Sequence, residues 1–127
     1  MIRRLLDTSV LVAPNLEFDG EVAISAASLA ELHFGVLVAK TIEERGRRAH
    51  RLGAIEATVA ALPCDAAVCR EWGRLAAVVV ARGGQPRRRT MDLMIAATAN
   101  VHRLALTTHD RADFAIIEDL VDFDFLD

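Results

Sequence analysis

Asp7, Glu31, Asp92 and Asp110 each sit at the edge of an apolar segment, where a strand or helix would hold a carboxylate at a fixed point. Brought together, such groups repel: at about 4 Å, two like charges cost roughly 4 kcal/mol at an effective dielectric of 20. A cluster of this kind must take up protons or a cation. Mg2+ suits it, because that ion prefers oxygen ligands and keeps several of its waters. A cation so held lowers the pKa of a bound water and stabilises charge on a phosphodiester. Metal-assisted phosphodiester hydrolysis is the chemistry this residue set would support.

Each acid also has a plainer use. Asp7 and Asp110 could cap the turns that follow them. Glu31 stands three residues after Ser28, the spacing of a capping box. Asp92 could serve the dipole of a helix capped by Thr90. Only the placement of all four distinguishes the two readings.

The elements that must position them can be read along the chain. Leu5-Leu6 predict a short buried strand ending at Asp7, and Thr8 to Val12 a turn into a helix. Glu17 to Glu21 reads as a polar loop, and Val22 to Ser25 as a second strand. A helix is expected from near Ser28 to about Lys40, then a solvated helix over Thr41 to Ala57. Thr58 to Leu62 predicts a third strand, stopped by Pro63. Asp65 should cap a helix from Ala66 to about Arg82, ended by Gly83-Gly84-Gln85-Pro86. Thr90 should cap another helix running to about His102. Leu104 to Thr107 and Val121 to Phe125 supply the last two strand candidates. Strands alternating with helices predict an α/β fold, with a central, mostly parallel sheet of four to five strands flanked by helices. In such sheets ligands bind beyond the carboxyl ends of the strands. Asp7 and Asp110 follow strands, and Glu31 and Asp92 fall in the first turns of helices, so all four can reach one crevice.

Composition sets the bounds. With 127 residues, the chain is expected to form one domain over 1–127, large enough for a core without disulfides. The net charge of −3 argues against nucleic-acid binding unless charge is unevenly distributed. Cys64 and Cys69 lack a histidine pair for zinc and read as reduced thiols. Neither a signal peptide nor a membrane span is visible, and the expected location is the cytoplasm.

The segment Leu6-Asp7-Thr8-Ser9-Val10-Leu11-Val12 resembles the opening of PIN domains, those of VapC toxins above all. Ser28-Leu29-Ala30-Glu31-Leu32-His33-Phe34-Gly35 is similar to their second motif, and Thr90 to Ala99, carrying Asp92, to the third. Leu106-Thr107-Thr108-His109-Asp110-Arg111-Ala112-Asp113-Phe114 resembles the fourth. Each motif alone is weak, but the four occur in the family's order and span nearly the whole chain.

The resemblance implies an endoribonuclease, the toxin of a VapBC-type module. Asp7, Glu31, Asp92 and Asp110 would bind one or two Mg2+ or Mn2+ ions, and a metal-bound water would cut RNA to leave a 5′-phosphate and a 3′-hydroxyl. Thr8, Ser9 or Thr107 could hold a ligand or water. Asp113 is the second candidate for the fourth acidic position, although it could instead order the turn against Phe114. Implied partners are an RNA substrate, a VapB-type antitoxin laying an amphipathic segment in a groove, and a second copy in a homodimer or higher assembly. The helix bearing Leu29, Leu32, Phe34, Val36, Leu37 and Val38 is apolar on more than one side and needs burial on two faces.

Arg87, Arg88 and Arg89, with Arg82 across the Gly-Gly-Gln-Pro loop, lead straight into Asp92. Their guanidinium forks suit phosphate, or they pair with acids of the same chain. Of the four histidines only His109, beside Asp110, is a functional candidate, and Trp72 reads as core or interface. Two rival enzyme readings fail on particular residues. A haloacid dehalogenase-like phosphatase needs a second Asp where Ser9 stands, and a response-regulator receiver needs paired acids near the first strand and a Lys after the last. The remaining alternative is a catalytically inactive PIN-like module that binds RNA or protein.

Overall fold

Strands alternate with helices from Arg4 to Phe125 in the computed structural model, which describes residues 1–12 and 21–126. The strands are β1 (Arg4–Leu6), β2 (Val22–Ser25), β3 (Ala60–Leu62), β4 (Ala105–Thr108) and β5 (Phe123–Phe125). The helices are α1 (Thr8–Leu11), α2 (Ala26–Leu37), α3 (Ile42–Thr58), α4 (Ala66–Ala81), α5 (Thr90–His102) and α6 (Arg111–Phe114). Short 3-10 turns precede α5 and follow α6. The expected loop over Glu17 to Glu21 lies outside the described residues except for Glu21.

The five strands form one sheet in the order β3-β2-β1-β4-β5, and every pairing is parallel. This agrees with the expected architecture. A parallel sheet is covered on both faces, so its strands bury alternate residues in two directions. Leu5, Ala23 and Leu106 join a core built with Val68, Leu75 and Val79 of α4 and Leu93, Ile95 and Ala96 of α5. Leu6 and Ile24 turn the other way, onto Val10 and Leu11 of α1 and Ile55 of α3. From β1 the chain steps outward to β2 and β3, then returns to place β4 on the other side of β1. The strand order therefore reverses between β1 and β4. A crevice opens at such a point, and it is the usual ligand site of open α/β sheets.

Several boundaries differ from expectation: α2 stops at Leu37, Thr58 belongs to α3 so that β3 starts at Ala60, β5 starts at Phe123, and three further differences bear on the site. Helix α2 begins at Ala26, because Ser25 is its N-cap and accepts a bond from Ala27 N at 3.0 Å. Ser28 is therefore inside the helix, Glu31 lies in the second turn rather than the first, and no capping box forms. Thr90 is the first residue of α5 rather than its cap, because the 3-10 turn Pro86–Arg89 feeds directly into the helix. Strand β4 runs one residue further than expected, to Thr108. The expected Asp65 cap forms, accepting from Val68 N at 3.1 Å, and Thr41 caps α3 by accepting from Glu44 N at 3.1 Å.

Helix α4 ends in a Schellman motif. Gly83 adopts φ +83°, its N–H bonds Val80 O at 3.0 Å, and Gly84 N–H bonds Val79 O at 2.8 Å. No helix among the described residues is long and apolar enough to cross a membrane.

Candidate active site

The site is assembled at the strand-order reversal. Asp7 follows β1 directly, and its backbone N–H extends the pairing by bonding Thr107 O at 2.9 Å. Asp110 lies two residues beyond β4, Glu31 projects from α2, and Asp92 is third in α5. All four line one cavity of about 360 Å3, together with Asp113, Thr8, Ser9 and Val12. The structure thus brings together the acids that the sequence scatters over a hundred positions.

The plainer uses of Asp7, Glu31 and Asp110 fail on geometry, while Asp92 does stand in the first turn of α5, where it also suits the helix dipole. Asp7 and Asp110 occupy the N-cap positions of α1 and α6, yet neither side chain makes a capping hydrogen bond. Asp7 instead receives two hydroxyls at one oxygen: Ser9 Oγ donates to Oδ2 at 2.8 Å and Thr108 Oγ1 at 2.7 Å. The same hydroxyls accept from the next loop, Ser9 from His109 N at 3.1 Å and Thr108 from Asp110 N at 3.0 Å. Asp7 is 3% exposed, and this network fixes its carboxylate while leaving Oδ1 for a ligand. Thr8 plays the matching part for Glu31, donating to Oε1 at 2.8 Å, with Ser28 Oγ 3.0 Å from the Thr8 hydroxyl.

The electrostatics record how closely the acids gather. Burial first, and then the charges of Asp7, Asp113, Glu31 and Asp110, together push the Asp92 carboxyl up to about 7. Burial also raises Glu31, opposed by the Thr8 hydroxyl and assisted by Asp7. Asp110 is raised by burial and then by Asp113 and Asp7, against a smaller effect of His109. Burial is the larger cause at all three, and the neighbouring like charges add to it. Among the described residues no group of three acidic, His or Cys side chains is preformed as a metal cage. The oxygen donors nevertheless fit a hard, hydrated cation held through one or two carboxylates and water, as Mg2+ is.

The remaining candidates separate. Asp113 lines the cavity beside Asp110, and its charge weighs on Asp92 more than that of Asp110 does. Thr107 does not join the network: it is buried, its hydroxyl has no partner, and strand alternation sets it opposite to Thr108. Thr108, one residue beyond the hydroxyl expected from the sequence, is the one that reaches Asp7. In the basic segment, Arg89 Nη1 donates to Asp113 O at 2.7 Å, whereas Arg87 lines an apolar groove with Trp72. Arg82 pairs with Asp119 at 2.7 Å and bonds Ile116 O, so it is structural. Trp72 packs at the edge of the main core and bonds Thr90 O at 3.1 Å. Cys64 and Cys69 are free thiols. Phe34 and Leu37 of α2 and Val38 just after it are exposed, so neighbouring described helices do not cover that face.

A parallel sheet with an acid-lined crevice at its strand reversal is an α/β architecture whose oxygen donors suit a divalent cation. The chain belongs to the PIN domain family, which it matches over residues 4–120. It is 37% identical over 121 residues to ribonuclease VapC5 of Mycobacterium tuberculosis, covering 90% of this chain and 87% of that one. A crystal structure of VapBC-5 from M. tuberculosis, a member of the VapBC family of toxin-antitoxin systems, superposes with a TM-score of 0.82 at 32% identity, over 99% of this chain and 98% of that one. VapBC2 of Rickettsia felis, solved on a promoter DNA fragment, shares the fold with a TM-score of 0.80 at 23% identity over 99% and 100% of the two chains.

Proposed function

We propose that this chain is a divalent-metal-dependent endoribonuclease and the toxin component of a VapBC-type toxin–antitoxin module, acting in the cytoplasm. The observation that carries the reading is that Asp7, Glu31, Asp92, Asp110 and Asp113 line one cavity, with neither of the two at helix N-caps engaged in capping. PIN-domain ribonucleases are generally divalent-metal dependent. Here Asp7, Glu31, Asp92 and Asp110 would hold Mg2+, with Mn2+ able to substitute, and Asp113 is placed to share that role. When bound, the ion supplies an activated water and charge neutralisation at the scissile phosphate. Ser9 and Thr108 hold Asp7 in one orientation, Thr8 does the same for Glu31, and Arg89 braces the backbone of Asp113. Arg87 and Arg88 remain candidates for contacts to the RNA backbone.

The exposed apolar residues Phe34, Leu37, Val38 and Ile42 form a surface for the amphipathic segment of a VapB-type antitoxin. A homodimer and a larger toxin–antitoxin assembly complete the proposed state. The test is incubation of partner-free protein with total RNA in Mg2+ or in EDTA, beside Asp7→Asn and Asp92→Asn. Cleavage should require metal and fall at least about a hundredfold in both variants, since lost supporting groups alone cost 10–100-fold. RNA that is bound but never cut would favour the inactive binding module.

A further inference from the structure

Glu44, Arg47, Arg48 and Arg51 recur on α3 at three- and four-residue spacings, which aligns them along one side of the helix. With Leu52 and with Leu32 and Gly35 of α2, they line a groove of about 440 Å3. Thr8, Val12 and Glu31 line both this groove and the acidic cavity, so the two are continuous. The arginines are held in place. Arg48 Nη1 donates to Gly35 O at 2.7 Å, and Arg51 Nη1 to Leu11 O at 3.3 Å, tying α3 to the short helix that starts beside Asp7. Glu44 accepts from Arg47 and, at 2.9 Å, from Arg48 Nε. The Arg47 side chain is nevertheless 68% exposed and that of Arg48 44%.

The charge outside the cavity has the sign that a polyanion needs. Five acids line the cavity while the whole chain carries only −3, so the rest of the chain is net positive. A polyanion approaching this cavity meets repulsion at its centre and needs positive charge alongside. The groove supplies it where it opens into the site. Among the described residues its lining has no aromatic ring, which suits contacts to sugar and phosphate rather than to stacked bases.

We infer that Arg47, Arg48 and Arg51 form a phosphate track that holds single-stranded RNA flanking the scissile bond, running along α3 into the acidic cavity. The nature of the ligand rests on the ribonuclease reading. Glu44 orders the row in the absence of RNA and competes with phosphate for Arg47 and Arg48. Removing its charge should therefore strengthen binding, an effect that a misfolded variant would not produce.

The experiment is fluorescence anisotropy with a labelled oligouridine of about a dozen nucleotides, in Mg2+ and on an Asp92→Asn background, over a range of salt. Arg47→Ala and Arg48→Ala should each weaken binding about tenfold, the size of a lost charge-assisted hydrogen bond. Each should also reduce the slope of log K against log salt by about 0.7, the value for one phosphate contact on a single strand. Glu44→Gln should tighten binding several-fold. Unchanged affinity and slope in arginine variants that melt like the parent would overturn the track. So would a weakened antitoxin complex with RNA binding intact, which would make the row a protein-docking surface. Cleavage by the unsubstituted chain is assayed in parallel. If cleavage is absent but the slopes change, the track stands and the nuclease reading fails; cleavage with unchanged slopes gives the reverse.

Discussion

The Thr108 hydroxyl donates to Asp7 Oδ2 at 2.7 Å, and it accepts from Asp110 N at 3.0 Å. One side chain at the end of β4 therefore orients the acid after β1 and anchors the loop that carries the acid after β4. Both halves of the site meet at this hydroxyl, across the reversal in strand order.

Thr108→Val should remove both bonds while keeping the shape of the side chain. Asp7 is buried, so the loss should destabilise the fold by about 1.5–3 kcal/mol and lower RNA cleavage by about ten- to a hundredfold. Thr108→Ser keeps the hydroxyl and should retain most of both. Thr107→Val is the internal contrast: its hydroxyl is buried without a partner, so the isosteric change should leave stability equal or raise it by about 1 kcal/mol. Urea unfolding of the three variants checks the order, and a valine at 108 as stable as the parent would contradict it.

The exchange of Thr107 for Thr108 shows how far the sequence could be read. Acids directly after predicted strands were visible, because a short apolar run followed by Asp marks a strand end whatever the exact register. Which neighbouring hydroxyl faces the site was not, because a shift of one residue in a strand moves a side chain to the other face. The start of α2 failed similarly: Ser25 and Ser28 are equally good caps, and only the backbone geometry at Ser25 decides between them. Asp113 was visible as an alternative to Asp110, but that both line one cavity follows from the single turn of α6 between them. The arginines of α3 looked like an ordinary solvated face. Their spacing was visible, but their proximity to Glu31 depends on packing between α2 and α3 that no local pattern encodes.

Metal-free protein should lose stability as pH rises through about 7. The sign follows from Asp92: burial and neighbouring acids raise its folded pKa from 3.8 to about 7, so the folded state holds a proton that the unfolded state has released. The stabilisation is complete below the unfolded value and disappears above the folded one. Glu31 and Asp110 are raised too and act in the same direction. Glu71 and Asp119, held low by Arg74 and Arg82, act oppositely and only in acid. Melts in EDTA should therefore show a lower Tm at pH 8.5 than at pH 6. Asp92→Asn should flatten that difference, and Mg2+ should reverse it in the parent. A parent Tm that rises between those two pH values in EDTA would refute this assignment.

Metal affinity should follow the same carboxyl. Binding requires Asp92 to ionise, so Mg2+ and a proton compete below about pH 7. Affinity should fall by up to about tenfold per pH unit there, the limit for one displaced proton. Calorimetry in two buffers of different ionisation enthalpy should detect proton release at pH 6 and much less at pH 8. Binding that releases no proton at pH 6 would show that the ion sits away from Asp92.

The ends of α4 and α5 give a prediction independent of catalysis. Gly84 has no room for a side chain: a Cβ there would lie 2.6 Å from Ile116 Cδ1, 2.7 Å from Val79 Cγ1 and 3.3 Å from the Val79 carbonyl. Gly84→Ala should therefore cost about 1–3 kcal/mol through overpacking. At the end of α5 the situation is inverted. Arg103 holds φ 56°, a left-handed conformation that glycine adopts without the Cβ penalty, while Leu104 N–H bonds Ala99 O at 2.9 Å. Arg103→Gly should gain up to about 1 kcal/mol, because the relief of that penalty exceeds the extra entropy of the unfolded chain. Thermal melts of the two variants should move in opposite directions from the parent, and a destabilised glycine at 103 would mean that the arginine side chain contributes more than its backbone strain removes.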